Sequence, residues 1–253
     1  MTDWRAGTEP HRSTRREWLY LCAGAGASGV FATPRGAGKG QRPAVSAVDH
    51  LLLGVADLDH GIGWVEDATG VKAAIGGTHP GMGTRNALLS LGGRRYLEII
   101  APDPAQTAFN FRIDVRKLSQ PRLITWAAGT RDIDALAKKA SGVGYKTFGP
   151  QAGSRARPDG RVLRWKTFGV MNELGGAGVE PIPFFIEWEA DSPHPSQDSP
   201  KGCELLALEI EHPKPADVQV TLARLGIKGN VNEGDRARLS ATLRTPKGPV
   251  ELS

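Results

Sequence analysis

Cysteine is nearly missing from this chain: Cys22 and Cys203 are the only two among 253 residues. No disulfide framework can hold the fold, and zinc-finger sites, which need paired cysteines, are excluded. Runs of Lys and Arg interleaved with aromatics are also missing, although the net charge is +5 and the isoelectric point near 9.4. The charge reads as a mildly basic solvated surface, and nucleic acid is not expected as a partner. The uncharged stretch from Leu19 to Phe31 is too short to cross a bilayer as a helix, so no stable membrane span is expected. What remains is ordinary: 40% hydrophobic and 23% charged residues, in a chain long enough to bury a sizeable core.

The first 43 residues stand apart. Thr14-Arg15-Arg16-Glu17-Trp18-Leu19 resembles the twin-arginine export signal, and Val30-Phe31-Ala32 satisfies a small-residue cleavage rule. The expectation is an exported protein, periplasmic or extracellular; the alternative is an Arg/Gly-rich leader on a cytoplasmic one.

From residue 44 onward two polar residues interrupt otherwise apolar strands. His50 sits in AVDHLLLGV and Glu98 in RRYLEIIAP. Strand alternation predicts that His50 shares a face with Val48 and Leu52, and Glu98 one with Tyr96 and Ile100. Burying an imidazole and a carboxylate there is costly unless they are paired, hydrogen-bonded or metal-bound. Between them lie a helical stretch (ADLDHGIGWVEDATG), a strand near Val71 to Ile75 and another at Arg85 to Leu91, a β-α-β-β-β unit.

The wording of this unit, DH in the first strand, GGTHPGMGTRN in the connection and YLEIIAP in the fourth strand, closely resembles the glyoxalase-like branch of the vicinal-oxygen-chelate superfamily. The resemblance continues through SRARPDGRVLRW and PFFIEW to SPHPS. It implies an α+β fold of repeated βαβββ units whose curved mixed sheets surround a cleft. The predicted units run over about 44–104, 121–190 and 203–253. The second has strands at Arg122 to Gly129, Tyr145 to Phe148, Arg161 to Gly169 and Phe184 to Trp188. The third ends in Val250-Glu251-Leu252, an echo of the acidic fourth strand.

In the superfamily's metalloenzymes the ligands come from the first and fourth strands of paired units. By that correspondence His50 and Glu98 match the first unit, and aligning Leu97-Glu98-Ile99 with Ile186-Glu187-Trp188 makes Glu187 the third ligand. Thr125 and Trp126 occupy the region where a second His would stand, leaving His79 and His194 as loop substitutes. Such a set suits a divalent Zn, Mn, Fe or Ni ion, with Glu98 or Glu187 moving the proton. His79 and Asn86, in a loop read over 78–86, are placed to orient a substrate. Arg155 and Arg157, in a second loop, suit a carboxylate, and Trp165 suits an apolar wall.

The resemblance implies a small-molecule metalloenzyme of lyase or isomerase type acting on vicinal oxygens, with dioxygenase chemistry a weaker fit. A different class is also open: a metal-free protein that sequesters an apolar or aromatic compound. Units of this superfamily pair within or between chains, so a homodimer is compatible with the sequence.

Overall fold

The computed structural model describes residues 45–157 and 159–253. The segments read above as an export signal and a cleavage site fall outside the described residues. Strand β1 (Val48–Gly54) leads into helix α1 (Leu58–Thr69), and β2 (Ala74–His79), β3 (Thr84–Ser90) and β4 (Tyr96–Pro102) follow. A second unit repeats the succession with β5 (Arg122–Gly129), α2 (Ile133–Gly142), β6 (Thr147–Ala156), β7 (Val162–Val170) and β8 (Phe184–Trp188). The two form one eight-stranded sheet of order β2-β3-β4-β1-β5-β8-β7-β6. In each unit the fourth strand pairs in parallel with the first, and β1 joins β5 antiparallel at the centre. The fold is the α+β arrangement of paired βαβββ units expected from the sequence.

Helices α1 and α2 form where their apolar residues repeat at helical spacing and an aspartate caps the start. In α1 the Asp57 side chain accepts from His60 N at 2.8 Å, and Gly70 closes the helix in the left-handed region. Leu58, Ile62 and Val65 then share one buried face, each contributing about 1.5–3 kcal/mol of burial. They join Leu51, Leu53, Leu97 and Ile99 in a main core on one face of the sheet. The opposite face carries Leu52, Ile100 and Ile124, against which the connection from Phe109 to Leu118 packs.

The sheet curls until its edge strands meet. A Cβ on Gly77 of β2 would stand 3.0 Å from the Ala156 carbonyl oxygen of β6, and one on Gly76 2.8 Å from Arg155 Nη1. The glycine pair permits this approach. At the next turn a Cβ on Gly83 would stand 2.1 Å from the Ala108 carbonyl oxygen, so the glycine-rich connection does bring backbone against backbone.

The third run of elements, β9 (Glu204–His212), α3 (Pro215–Arg224), β10 (Val231–Glu233), β11 (Arg238–Thr245) and β12 (Gly248–Leu252), keeps the succession but changes the pairing. Its order is β10-β9-β11-β12, with β11 antiparallel between β9 and β12. Glu251 is exposed there and meets Arg238 at 3.3 Å. It is no counterpart of Glu98.

Candidate functional site

A β-bulge builds the centre of the site. The β1–β5 register slips between Val48, opposite Ala128, and His50, opposite Ala127. The extra residue, Asp49, breaks the alternation. Val48 therefore joins the main core with Leu51 and Leu53, while His50 turns to the opposite face, on the side of Leu52. The expected shared face of Val48 and His50 is corrected by this bulge. Asp49 comes to lie against His50, its Oδ1 2.8 Å from Nδ1.

Asp49 is buried, and three side chains donate to it: His50, Trp188 Nε1 at 3.1 Å and His194 Nε2 at 3.1 Å. Burial alone would push its carboxyl up. The hydrogen bonds and charges of His194 and His50 outweigh that and hold it well below the usual carboxylate range. His194 is fully buried, and its Nδ1 accepts from Ser196 N at 3.3 Å, which leaves Nε2 to carry the proton toward Asp49.

His50 stacks on Tyr96, ring centroids 4.5 Å apart, and its Nε2 faces Glu98 Oε2 at 3.5 Å. The other Glu98 oxygen accepts from Asn86 Nδ2 at 2.6 Å and lies 3.5 Å from His79 Nε2. Burial raises the Glu98 carboxyl, but His79, His50, Asn86 and Arg155 together bring it below its ordinary value. Tyr96 is pushed well above its usual range by burial and by the Glu98 and Asp49 carboxylates. Burial lowers His79 below its ordinary value, against the pull of the Glu98 carboxylate. Its Nε2 accepts from Asn86 Nδ2 at 3.3 Å, and its Nδ1 donates to Thr84 Oγ1 at 2.9 Å.

Arg155 fixes the sense of the Asn86 amide. Its Nη1 donates to Asn86 Oδ1 at 3.3 Å, so the amide NH2 must face Glu98 and His79. His79, Asn86 and Arg155 thus join the centre, but from strands. β2 runs on through His79, β3 begins at Thr84, and β6 continues to Ala156, where loops were expected.

Other expected members lie elsewhere. Glu187 occupies the opposite face of β8, where its Oε2 accepts from Ile133 N at 2.7 Å at the start of α2. The register explains the error. Leu52 opposes Glu98 across β1–β4, and Ala127 opposes Phe184 across β5–β8. The two-fold relation that sets Thr125 against His50 sets Phe184, not Glu187, in the place of Glu98. Arg157 pairs with Asp198 at 2.8 Å on the surface. Trp165 packs on Trp188 at 5.5 Å instead of on Glu98. Trp126 belongs to the core, donating to the Pro181 carbonyl at 3.0 Å.

These facts decide the fit of a metal. Among the described residues no group of three His, Cys, Asp or Glu side chains is arranged to hold one. The Asn86 NH2, held by Arg155, donates to both His79 and Glu98 Oε1, so those lone pairs are spent. Only His50 Nε2 and Glu98 Oε2 remain, short of the three protein ligands of a catalytic zinc-type site. The expected three-ligand set of His50, Glu98 and Glu187 does not form.

The sequence profile of the glyoxalase-like domain family matches residues 48–226. The chain belongs to this glyoxalase-like family. Its fold is that of the vicinal-oxygen-chelate superfamily. A hypothetical protein from Staphylococcus aureus superposes with a TM-score of 0.58 at 20% identity, covering 81% of this chain and 83% of that one. The methylmalonyl-CoA epimerase of Mycobacterium tuberculosis is 21% identical over 57% of this chain and 89% of its own, with a TM-score of 0.39. No curated protein sequence matches the chain.

Proposed function

We propose that this glyoxalase-like protein is a small-molecule enzyme of isomerase or lyase type in which Glu98 and His50 move a proton. The observation that carries the reading is the buried Glu98 carboxylate facing His50 Nε2 at 3.5 Å, with Asp49 behind the imidazole. An ionised carboxylate with little water around it is a base available to a carbon acid next to a carbonyl. Glu98 takes the proton, the C–H electron pair moves onto the carbonyl oxygen, and the proton returns at a neighbouring atom. His50 shares the proton with Glu98 between the two events.

The test is hydrogen exchange. The full chain is incubated in D2O with a panel of 2-oxo and 2-hydroxy carbonyl compounds, and deuterium at the carbon next to the carbonyl is read by NMR. Exchange that disappears in Glu98→Gln supports the reading. Exchange unaffected by that change, or none with any compound, overturns it.

A second reading rests on the apolar face next to this centre. Leu52, Ile100 and Ile124 are buried there, with Phe109, Phe111 and Phe184 packed against them. A protein that sequesters an apolar or aromatic compound there would bind without turnover. We also propose export, carried by Arg15 and Arg16: retention of an Arg15→Lys/Arg16→Lys variant in the cytoplasm is the expected result.

A further inference from the structure

Five titratable side chains form an alternating chain through the interior: His194, Asp49, His50, Glu98 and His79. The links are 3.1 Å, 2.8 Å, 3.5 Å and 3.5 Å. The proposed proton transfer uses Glu98 and His50 and leaves the other end of this chain unexplained. We propose that Asp49, held by His194 and Trp188, is a positioning residue that fixes the His50 proton on Nδ1 and so presents Nε2, the nitrogen facing Glu98, to the proton transfer. The inference rests on the proton-transfer reading of the site but is tested without any substrate.

An ionised carboxylate only accepts, so the His50 nitrogen at 2.8 Å must carry a proton. Nδ1–H is therefore fixed, and Nε2 is the nitrogen left facing Glu98. Asp49 could release this hold only by turning, and it cannot. Its Oδ2 receives both His194 Nε2 and Trp188 Nε1, and His194 is itself committed by the Ser196 backbone N–H on Nδ1. The groups facing His50 from the neighbouring elements are Glu98 and Tyr96 on β4, Phe184 on β8 and Asp49 itself, with His79 and Arg155 beyond Glu98. None of them competes for Nδ1.

The same donors predict the outcome of replacing the carboxylate. In Asp49→Asn the amide has one oxygen and one NH2. Oxygen toward His194 and Trp188 satisfies two donors; NH2 there would oppose both. The NH2 must therefore face His50, which makes His50 Nδ1 an acceptor and moves its proton to Nε2. One buried substitution is predicted to invert a tautomer without removing any side chain.

The experiment is long-range proton–nitrogen NMR on the full chain labelled with 15N-histidine, His50 being assigned by the loss of its signals in His50→Gln. In the wild type the expected result is a protonated Nδ1 and the Nδ1–H pattern of the ring. In Asp49→Asn the two nitrogens exchange patterns. An Nδ1 that is unprotonated in the wild type overturns the proposal, and this arm needs no variant of Asp49. A folded Asp49→Asn whose His50 pattern is unchanged overturns it as well. Neither result depends on deuterium exchange into a substrate, so the failure of this inference and the failure of the proposed activity are told apart.

Discussion

Asp49 and His50 are sequence neighbours whose side chains meet at 2.8 Å, a contact that a regular strand forbids because adjacent residues point to opposite faces. The bulge between Val48 and His50 makes it, and Trp188 and His194 then seal the aspartate from the far side.

Removing that aspartate strands its donors. Asp49→Ala leaves His50 Nδ1, His194 Nε2 and Trp188 Nε1 without an acceptor in a buried setting. Each unsatisfied donor costs about 1–3 kcal/mol, so the loss of stability is expected to be roughly 3 kcal/mol or more. Urea denaturation measures it as a lowered midpoint at constant slope.

Stability should fall with acid in two windows. His79 has a folded pKa depressed below its unfolded value, so its contribution is complete above about pH 6.5 and declines as pH drops through that value. Asp49 and Glu98 are also depressed, and their contribution is complete above roughly pH 4–5 and lost below it. Melting temperatures followed from pH 8 to pH 3 should show a first decline that His79→Gln removes and a second that it leaves in place.

Two glycines two residues apart should respond differently. Gly81 and Gly83 both have positive φ, 77° and 73°, but a Cβ on Gly81 meets nothing within 4 Å, whereas one on Gly83 meets the Ala108 carbonyl oxygen. Gly81→Ala is expected to cost about 1–2 kcal/mol from the left-handed backbone alone. Gly83→Ala adds about 1–3 kcal/mol of overpacking. Thermal melts of the pair separate the two effects.

Zn, Mn, Fe or Ni should stabilise the protein little. A metal bound at a hundredfold excess over its dissociation constant adds about 2.7 kcal/mol, visible as a shift of several degrees. The expected shift is near zero for each. A large shift that His50→Ala abolishes would show that the amide of Asn86 yields to a metal.

Glu187 belongs to the scaffold. It meets the free Ile133 N–H at the first turn of α2, so Glu187→Ala should cost about 1 kcal/mol of stability and leave any deuterium exchange in place. An exchange rate that falls in proportion with Glu98→Gln would return Glu187 to the site.

His50 and Glu98 could be read from the chain alone, because a polar residue inside an apolar strand breaks a local pattern. The succession of strands and helices, the central strands β1, β5 and β8, and the close backbone approach of the glycine-rich connection were legible for the same reason: each depends on a few neighbouring residues. His79, Asn86 and Arg155 were picked out by residue type but placed in loops, since the strands holding them are extended by pairing with partners distant in sequence. Asp49 was missed, and Glu187 was chosen over the position of Phe184, because a bulge and a register are properties of two paired strands and not of either one. A shift by an odd number of residues moves a side chain to the other face of a sheet. Which residues are apolar decided that this chain would fold as paired βαβββ units; which carboxylate stands against His50 was decided only when those strands found their partners.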